Sequence, residues 1–122
     1  MKTILVIDKD YPTLLMLKEE FEGAGYEVLT TESGKEALKI LNDPAKSVDL
    51  VITNLRHAGP NMMDFIRFIK KTWPTLPVIC HTALYEYLRL PPQDQPFDDF
   101  VEKSSDLAGL KHSVEKLINT KQ

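Results

Sequence analysis

The sequence lacks several features that would point to particular classes of protein. It has one cysteine, Cys80, which cannot form an internal disulfide and lies in the apolar run LPVICHTA, where we expect a small buried side chain without a redox role. Basic residues are not in excess, because 15 Lys and Arg stand against 18 Asp and Glu, for a net charge of -3. Direct binding of nucleic acid is therefore not expected.

Long apolar segments and phosphate-binding loops are also missing. The first apolar run, Ile4 to Ile7, is too short for a signal peptide or a membrane span, so we predict a cytoplasmic protein without membrane association. The segment DKDYP after it offers two carboxylates and a proline, which disfavours a flavin or nucleotide carrier. No G-x-S-x-G motif occurs, and His57, His81 and His112 have no zinc-ligand spacing with a cysteine.

What is present fits one globular domain. The 122 residues are 43% hydrophobic and 27% charged, and we expect residues 1–122 to form a single folded unit. Short β-branched runs predict five strands, at 3–7, 26–31, 48–53, 76–81 and 98–102.

Helical periodicity occupies the intervals between these runs. The first helix should stop at Gly25, and SGKE at 33–36 has the form of a capping box for the second. Asn61 is a possible cap for the third helix, as are Ser104 and Ser105 for the last. Prolines leave the fourth helix at most about two turns, near 84–90, so it should be short or irregular.

Strands that alternate with helices predict a parallel sheet with helices on both faces, an α/β open sandwich. The functional crevice of such a sheet lies beyond the carboxyl ends of its strands. The residues at those ends are Asp8, Lys9, Asp10, Asn54, Thr82 and Lys103. Acids, an amide, a hydroxyl and a lysine at one edge are the groups that would hold Mg²⁺ and accept a phosphoryl group.

These motifs resemble the receiver domain of two-component response regulators. ILVIDKD is similar to that family's acidic first turn, DLVITNLR to the strand that carries its phosphoacceptor aspartate, HTA to its switch threonine and DDFVEK to its aromatic switch and lysine. The resemblance covers nearly the whole chain. It implies a flavodoxin-like (βα)5 fold with a five-stranded parallel sheet of order 2-1-3-4-5.

The resemblance also implies roles for single residues. Asn54 falls on the phosphoacceptor, while Thr82, Lys103 and Phe100 fall on the switch and phosphate-contact positions. The vestigial metal positions are Asp8, Asp10, Asn54 and Arg56; Lys9 stands where the family has a second acid. The turn after Asn54 departs from the family's pattern at His57, Ala58 and Met62.

These departures predict a silent site. A neutral carboxamide lacks the anionic oxygen that would form an acyl phosphate, and it is a poorer ligand for Mg²⁺. Asp8, Lys9, Asn54 and Lys103 together carry a formal charge of +1, whereas three carboxylates and a lysine would carry -2. We therefore expect no cofactor, with Mg²⁺ only if the acidic site is functional. Our hypothesis is that Lys9 or Lys103 pairs with Asp8 in place of a metal; alternatively, Lys9 extends into water.

Two functions remain open. The first is a non-enzymatic receiver-like module that acts through protein recognition, on the face formed by the fourth and fifth strands and the last helix, near Tyr85, Tyr87 and Leu88. These aromatic residues could instead pack beneath a loop. The second is an ordinary Mg-dependent phosphoacceptor of a histidine kinase phosphorelay in which Asn54 replaces an aspartate artificially. Expected partners are a sensor histidine kinase or a downstream regulatory protein.

Overall fold

The computed structural model describes residues 1–55, 62–91, 93 and 95–119, and within these ranges five strands alternate with five helices. The strands are β1 (Thr3–Ile7), β2 (Glu27–Thr31), β3 (Leu50–Thr53), β4 (Val78–Thr82) and β5 (Asp99–Glu102). The helices are α1 (Tyr11–Gly23), α2 (Gly34–Asn42), α3 (Met62–Thr72), α4 (Leu84–Leu88) and α5 (Ala108–Ile118). No helix in the described part of the chain is long and apolar enough to span a membrane.

The five strands form one parallel sheet in the order β2-β1-β3-β4-β5, which confirms the predicted topology. Ile7 lies opposite Thr31 and Thr53 in the register, and Thr53 lies opposite Cys80. The carboxyl ends of the central strands therefore meet at one edge, as the sequence predicted.

Two apolar clusters cover the two faces of the sheet, as expected for buried parallel strands. Ile4, Val6, Ile52 and Ile79 face α1 and α5, and pack with side chains such as Leu17 and Val114. Leu5, Ile7, Val51 and Val78 face α2 and α3, and pack with Ala37, Ile66 and Ile69. Trp73 follows α3 and lies edge-on against Phe68, with ring centroids 6.3 Å apart.

Local signals set most of the helix ends. The Ser33 side chain accepts the amide of Glu36 at 3.1 Å, as the capping box predicts, although the Ser33 amide donates to Thr31 Oγ1 instead of to Glu36. Gly25 has a φ of 98°, the left-handed conformation that glycine adopts readily after a helix.

The predicted caps of the last helix were wrong. The N-cap of α5 is Leu107, without a side-chain cap bond, because Ser104 and Asp106 form a turn ahead of it. Ser104 Oγ accepts the Asp106 amide at 3.0 Å, and Asp106 Oδ1 accepts the Ala108 amide at 2.9 Å. The proposed cap of α3, Asn61, lies outside the described residues.

The fourth helix is short, as the prolines predicted. It spans only five residues, none of which is buried. Its position therefore depends on a few specific contacts with β4 and β5, described below.

Candidate functional site

Asp8 follows β1 directly and is a buried carboxylate, with 3% of its surface exposed. One oxygen accepts the backbone amide of Asp10 at 2.9 Å and the Asn54 amide nitrogen at 3.3 Å. The other oxygen accepts Lys103 Nζ at 2.8 Å. We call the side chains of Asp8, Asn54 and Lys103 the Asp8 cluster. Its buried charge has the three donors that such a group requires.

Lys103 approaches Asp8 from β5, the strand at one edge of the sheet. The residue follows β5, and its backbone amide donates to the Thr82 carbonyl at 2.8 Å. This bond positions the Lys103 backbone, from which the side chain extends. The side chain is 26% exposed, whereas that of Asp8 is 3% exposed, so the pair is shielded from solvent mainly on the carboxylate side. Of the two lysines considered from the sequence, Lys103 is the one that pairs with Asp8.

Asn54 lies immediately after β3 and is 4% exposed. Its backbone amide donates to the Ile7 carbonyl at 3.4 Å, and its side-chain nitrogen donates to Asp8. An aspartate in this conformation would have no proton to donate and would place a second negative charge against Asp8. The amide is thus compatible with the pairing that the cluster already has.

The two residues after Asp8 are more exposed than Asp8 itself. Lys9 is exposed, and it makes no ion pair with any residue that the structure describes. Asp10 is also exposed, and its carboxylate accepts a hydrogen bond from the Thr13 hydroxyl in the first turn of α1. Of the four vestigial metal positions, Asp8 and Asn54 are joined by a side-chain hydrogen bond, the Asp10 carboxylate bonds to Thr13, and Arg56 lies outside the described residues.

Thr82, at the end of β4, has no exposed surface. Its hydroxyl donates to Oε1 of Glu86 in α4 and not to Asn54 or Asp8. Thr82 thus ends the strand next to β3, which precedes Asn54, but its hydroxyl is bonded to α4.

Phe100 in β5 also contacts α4. Its ring stacks on that of Tyr87, with centroids 3.9 Å apart and planes 12° apart. The Tyr87 hydroxyl donates to Gln95 Oε1 at 3.2 Å, so this tyrosine packs beneath the loop before β5. Tyr85 and Leu88 are 57% and 69% exposed. We call the Thr82–Glu86 hydrogen bond and the Tyr87–Phe100 stack the α4 contacts.

His81 is a member of the site that the sequence reasoning missed. It is 2% exposed, and its Nδ1 has no hydrogen-bond partner among the described residues. Burial lowers its pKa from 6.5 to about 4; the Lys103 charge adds to this effect and the Asp8 charge opposes it. The signal available in the sequence was its spacing of two from Ile79, which puts both side chains on the same buried face of β4.

A cavity of about 210 Å³ opens beside the Asp8 cluster. Its lining includes Asp8, Lys9, Glu32, Ser33, Asn54 and Met62. The donor set suits Mg²⁺ poorly, because Asp8 is the one carboxylate of the cluster and an ammonium already occupies one of its oxygens. Among the described residues, no group of three His, Cys, Asp or Glu side chains could hold a metal ion.

Comparison with known proteins identifies the class that this fold and site define. Residues 4–115 match the response regulator receiver domain, and the chain belongs to that family. The resemblance stated from the sequence is thereby confirmed.

Solved structures show the same fold over almost the full chain. The response regulator TrrA from Thermotoga maritima, solved in complex with Mg(2+)-BeF, is 35% identical, with a TM-score of 0.84 over 96% of this chain and 99% of that one. A receiver domain protein from Clostridium thermocellum is 30% identical, with a TM-score of 0.84 over 99% of this chain and 97% of that one.

Sequence relatives include longer proteins. The transcriptional regulatory protein GlrR of Escherichia coli is 40% identical over 80 residues, which are 66% of this chain and 18% of GlrR. The transcriptional regulatory protein CpxR of the same organism is 34% identical over 83 residues, which are 68% of this chain and 34% of CpxR. The aligned part thus spans 18% of GlrR and 34% of CpxR.

Proposed function

We propose that this receiver domain signals without phosphorylation at position 54 and acts as a non-enzymatic module for protein recognition. The observation that carries the proposal is the Asp8 cluster, in which Asn54 donates to Asp8 while Lys103 neutralises it. One negative group, one positive group and a neutral amide give a formal charge of zero, so the cluster does not need a divalent cation for neutrality. Asn54 also lacks the nucleophilic oxygen for phosphoryl transfer.

The surface proposed for recognition is formed by α4, β5 and α5. It presents Leu84, Tyr85 and Leu88, which are 42%, 57% and 69% exposed, and large exposed side chains of this kind favour binding to another protein. We propose a sensor histidine kinase or a downstream regulatory protein as the partner. TrrA has been solved in complex with the histidine kinase ThkA, and the matched chain of that complex is 33% identical in sequence to this chain. GlrR is a transcriptional regulatory protein. The cytoplasmic location stays a prediction.

The test compares intact masses of the unaltered protein, Asn54→Asp and the control Asn42→Asp after incubation with Mg²⁺ and a small acyl phosphate. Asn42 is exposed at the end of α2, so its change adds the same charge away from the site. We expect the unaltered protein and the control to remain unmodified, because neither has a carboxylate at position 54.

The result for Asn54→Asp shows which residues prevent phosphorylation. A phosphoryl group on this variant alone would mean that the scaffold is competent and that Asn54 is the sole obstacle, which also fits the second candidate, an ordinary phosphoacceptor with an artificial asparagine. If the variant also remains unmodified, Lys9 and the altered turn have closed the site. Mg-dependent phosphorylation of the unaltered protein would overturn the proposal.

A further inference from the structure

We propose that Glu86 is an internal acceptor that holds Thr82, and through it α4, in one position without a phosphoryl group. The family resemblance assigns Thr82 to phosphoryl oxygens, but in this chain its hydroxyl donates to the Glu86 carboxylate. A hydroxyl has one proton to donate, so this bond excludes a bond from Thr82 to any group at position 54. Because Thr82 has no exposed surface, solvent does not compete for that proton.

The electrostatic environment of Cys80 agrees with this position of the Glu86 carboxylate. The pKa of the Cys80 thiol is raised to about 12, chiefly by burial and further by the negative charge of Glu86. Cys80 and Thr82 are two residues apart in β4 and lie on the same face of the sheet. Glu86 is half-buried, and its carboxylate lies on the side of α4 that contacts β4.

The remaining contacts of α4 are few enough for this bond to matter. The helix has five residues and none is buried, so apolar burial contributes little to its position. Glu86 binds Thr82, and the next residue, Tyr87, stacks on Phe100. Two adjacent residues of α4 thus contact Thr82 and Phe100, the positions that the family resemblance assigns to the switch. The consequence for recognition, that Leu84, Tyr85 and Leu88 are presented in one arrangement, rests on the proposed function.

The test is amide hydrogen exchange of the full chain by NMR, without partner or phosphodonor. The reporters are the amides of Tyr87, Arg89 and Leu90, which bond to carbonyls within or next to α4. We expect Glu86→Ala and Thr82→Val each to speed their exchange about tenfold, and the double variant to exchange no faster than the singles, because one shared interaction is lost.

Matched variants separate this contact from a general loss of stability. Glu86→Gln keeps an acceptor oxygen and should exchange close to the unaltered rate, as should Glu19→Ala, which removes an exposed carboxylate from α1. Unchanged exchange in Glu86→Ala, equal exchange in Glu86→Ala and Glu86→Gln, or fully additive effects in the double variant would overturn the proposal. Should Thr82→Val fail to fold, the Glu86→Ala and Glu86→Gln pair still decides. The outcome is independent of whether Asn54→Asp accepts phosphate.

Discussion

The Asp8 cluster and the α4 contacts lie at the same edge of the sheet but are held in different ways. The cluster joins side chains from β1, β3 and the end of β5 through a buried ion pair and a buried amide. The α4 contacts join a helix without buried residues to β4 and β5 through one hydrogen bond and one ring stack. The first should be costly to disrupt and the second less so, and we therefore expect the cluster to contribute more to the free energy of unfolding than the α4 contacts do.

The largest expected effect comes from removing the cation of the cluster. Lys103→Met leaves the Asp8 carboxylate buried without its ion-pair partner, and we expect a loss of about 3 kcal/mol in the free energy of unfolding, measured with urea. Lys111→Met, which breaks an exposed pair with Glu20, is the control and should have a much smaller effect.

Combining Lys103→Met with Asp8→Asn removes both charges and should recover much of the loss. If Lys103→Met were no more destabilising than Lys111→Met, the cluster could not be a main contributor to stability.

His81 sharpens the comparison because it lies in β4, between the two regions, and its pKa depends on Lys103 and Asp8. Its pKa is about 4 in the folded protein, against an ordinary value of 6.5 for the unfolded chain. Between pH 4 and pH 6.5 the unfolded chain therefore binds more protons than the folded protein. The stability due to neutral His81 is therefore present above pH 6.5 and is lost as the pH falls towards 4, by about 2 kcal/mol at pH 5.

The measurement is urea unfolding at pH 7 and pH 5. His81→Leu should flatten this part of the profile, whereas His112→Gln, at an exposed position of α5, should retain the slope. Parallel profiles for the unaltered protein and His81→Leu would contradict the assignment.

The ring stack is expected to have a smaller effect. Tyr87→Leu removes the aromatic partner of Phe100 and should cost about 1 kcal/mol, while Tyr87→Phe keeps the stack and loses only the bond to Gln95. Thermal unfolding gives the stability, and the NMR signals of the Phe100 ring report the stack. Equal shifts of those signals in both variants would show that the hydroxyl, and not the ring, positions Tyr87.

The smallest effect is expected at the exposed surface of α4. The double change Tyr85→Ser and Leu88→Ser should alter the free energy of unfolding by no more than about 0.5 kcal/mol, because both side chains are mostly exposed. Chemical denaturation tests this directly. A loss comparable to that of Tyr87→Leu would mean that these residues hold the fold and are not kept exposed for a partner.

The sequence predicted the fold well because its signals are local. The five short β-branched runs became five strands, Ser33 capped α2, and the prolines after Leu90 kept α4 short. Strand order followed from the family resemblance, and the polar ends of the strands located the edge of the site.

Pairing within the site could not be predicted in the same way. Lys9 is next to Asp8 in the sequence, yet the lysine 95 residues away makes the ion pair, because the parallel sheet brings the end of β5 to the same edge as the end of β1. The bond from Thr82 to Glu86 depends on a rotamer and on the placement of a five-residue helix, neither of which has a sequence pattern. Tyr87 packs although its neighbours Tyr85 and Leu88 do not, which composition alone cannot distinguish.

The single tryptophan has a practical consequence for separating the two regions experimentally. Trp73 follows α3 on the side where β4 begins, against Phe68 and far from the carboxyl edge of the sheet. Its indole fluorescence will therefore report loss of the packing between α3 and the sheet. A displacement of α4 alone should leave this fluorescence unchanged. A variant that alters the NMR signals of Phe100 while leaving the emission of Trp73 unchanged would have a rearranged helix in an intact protein.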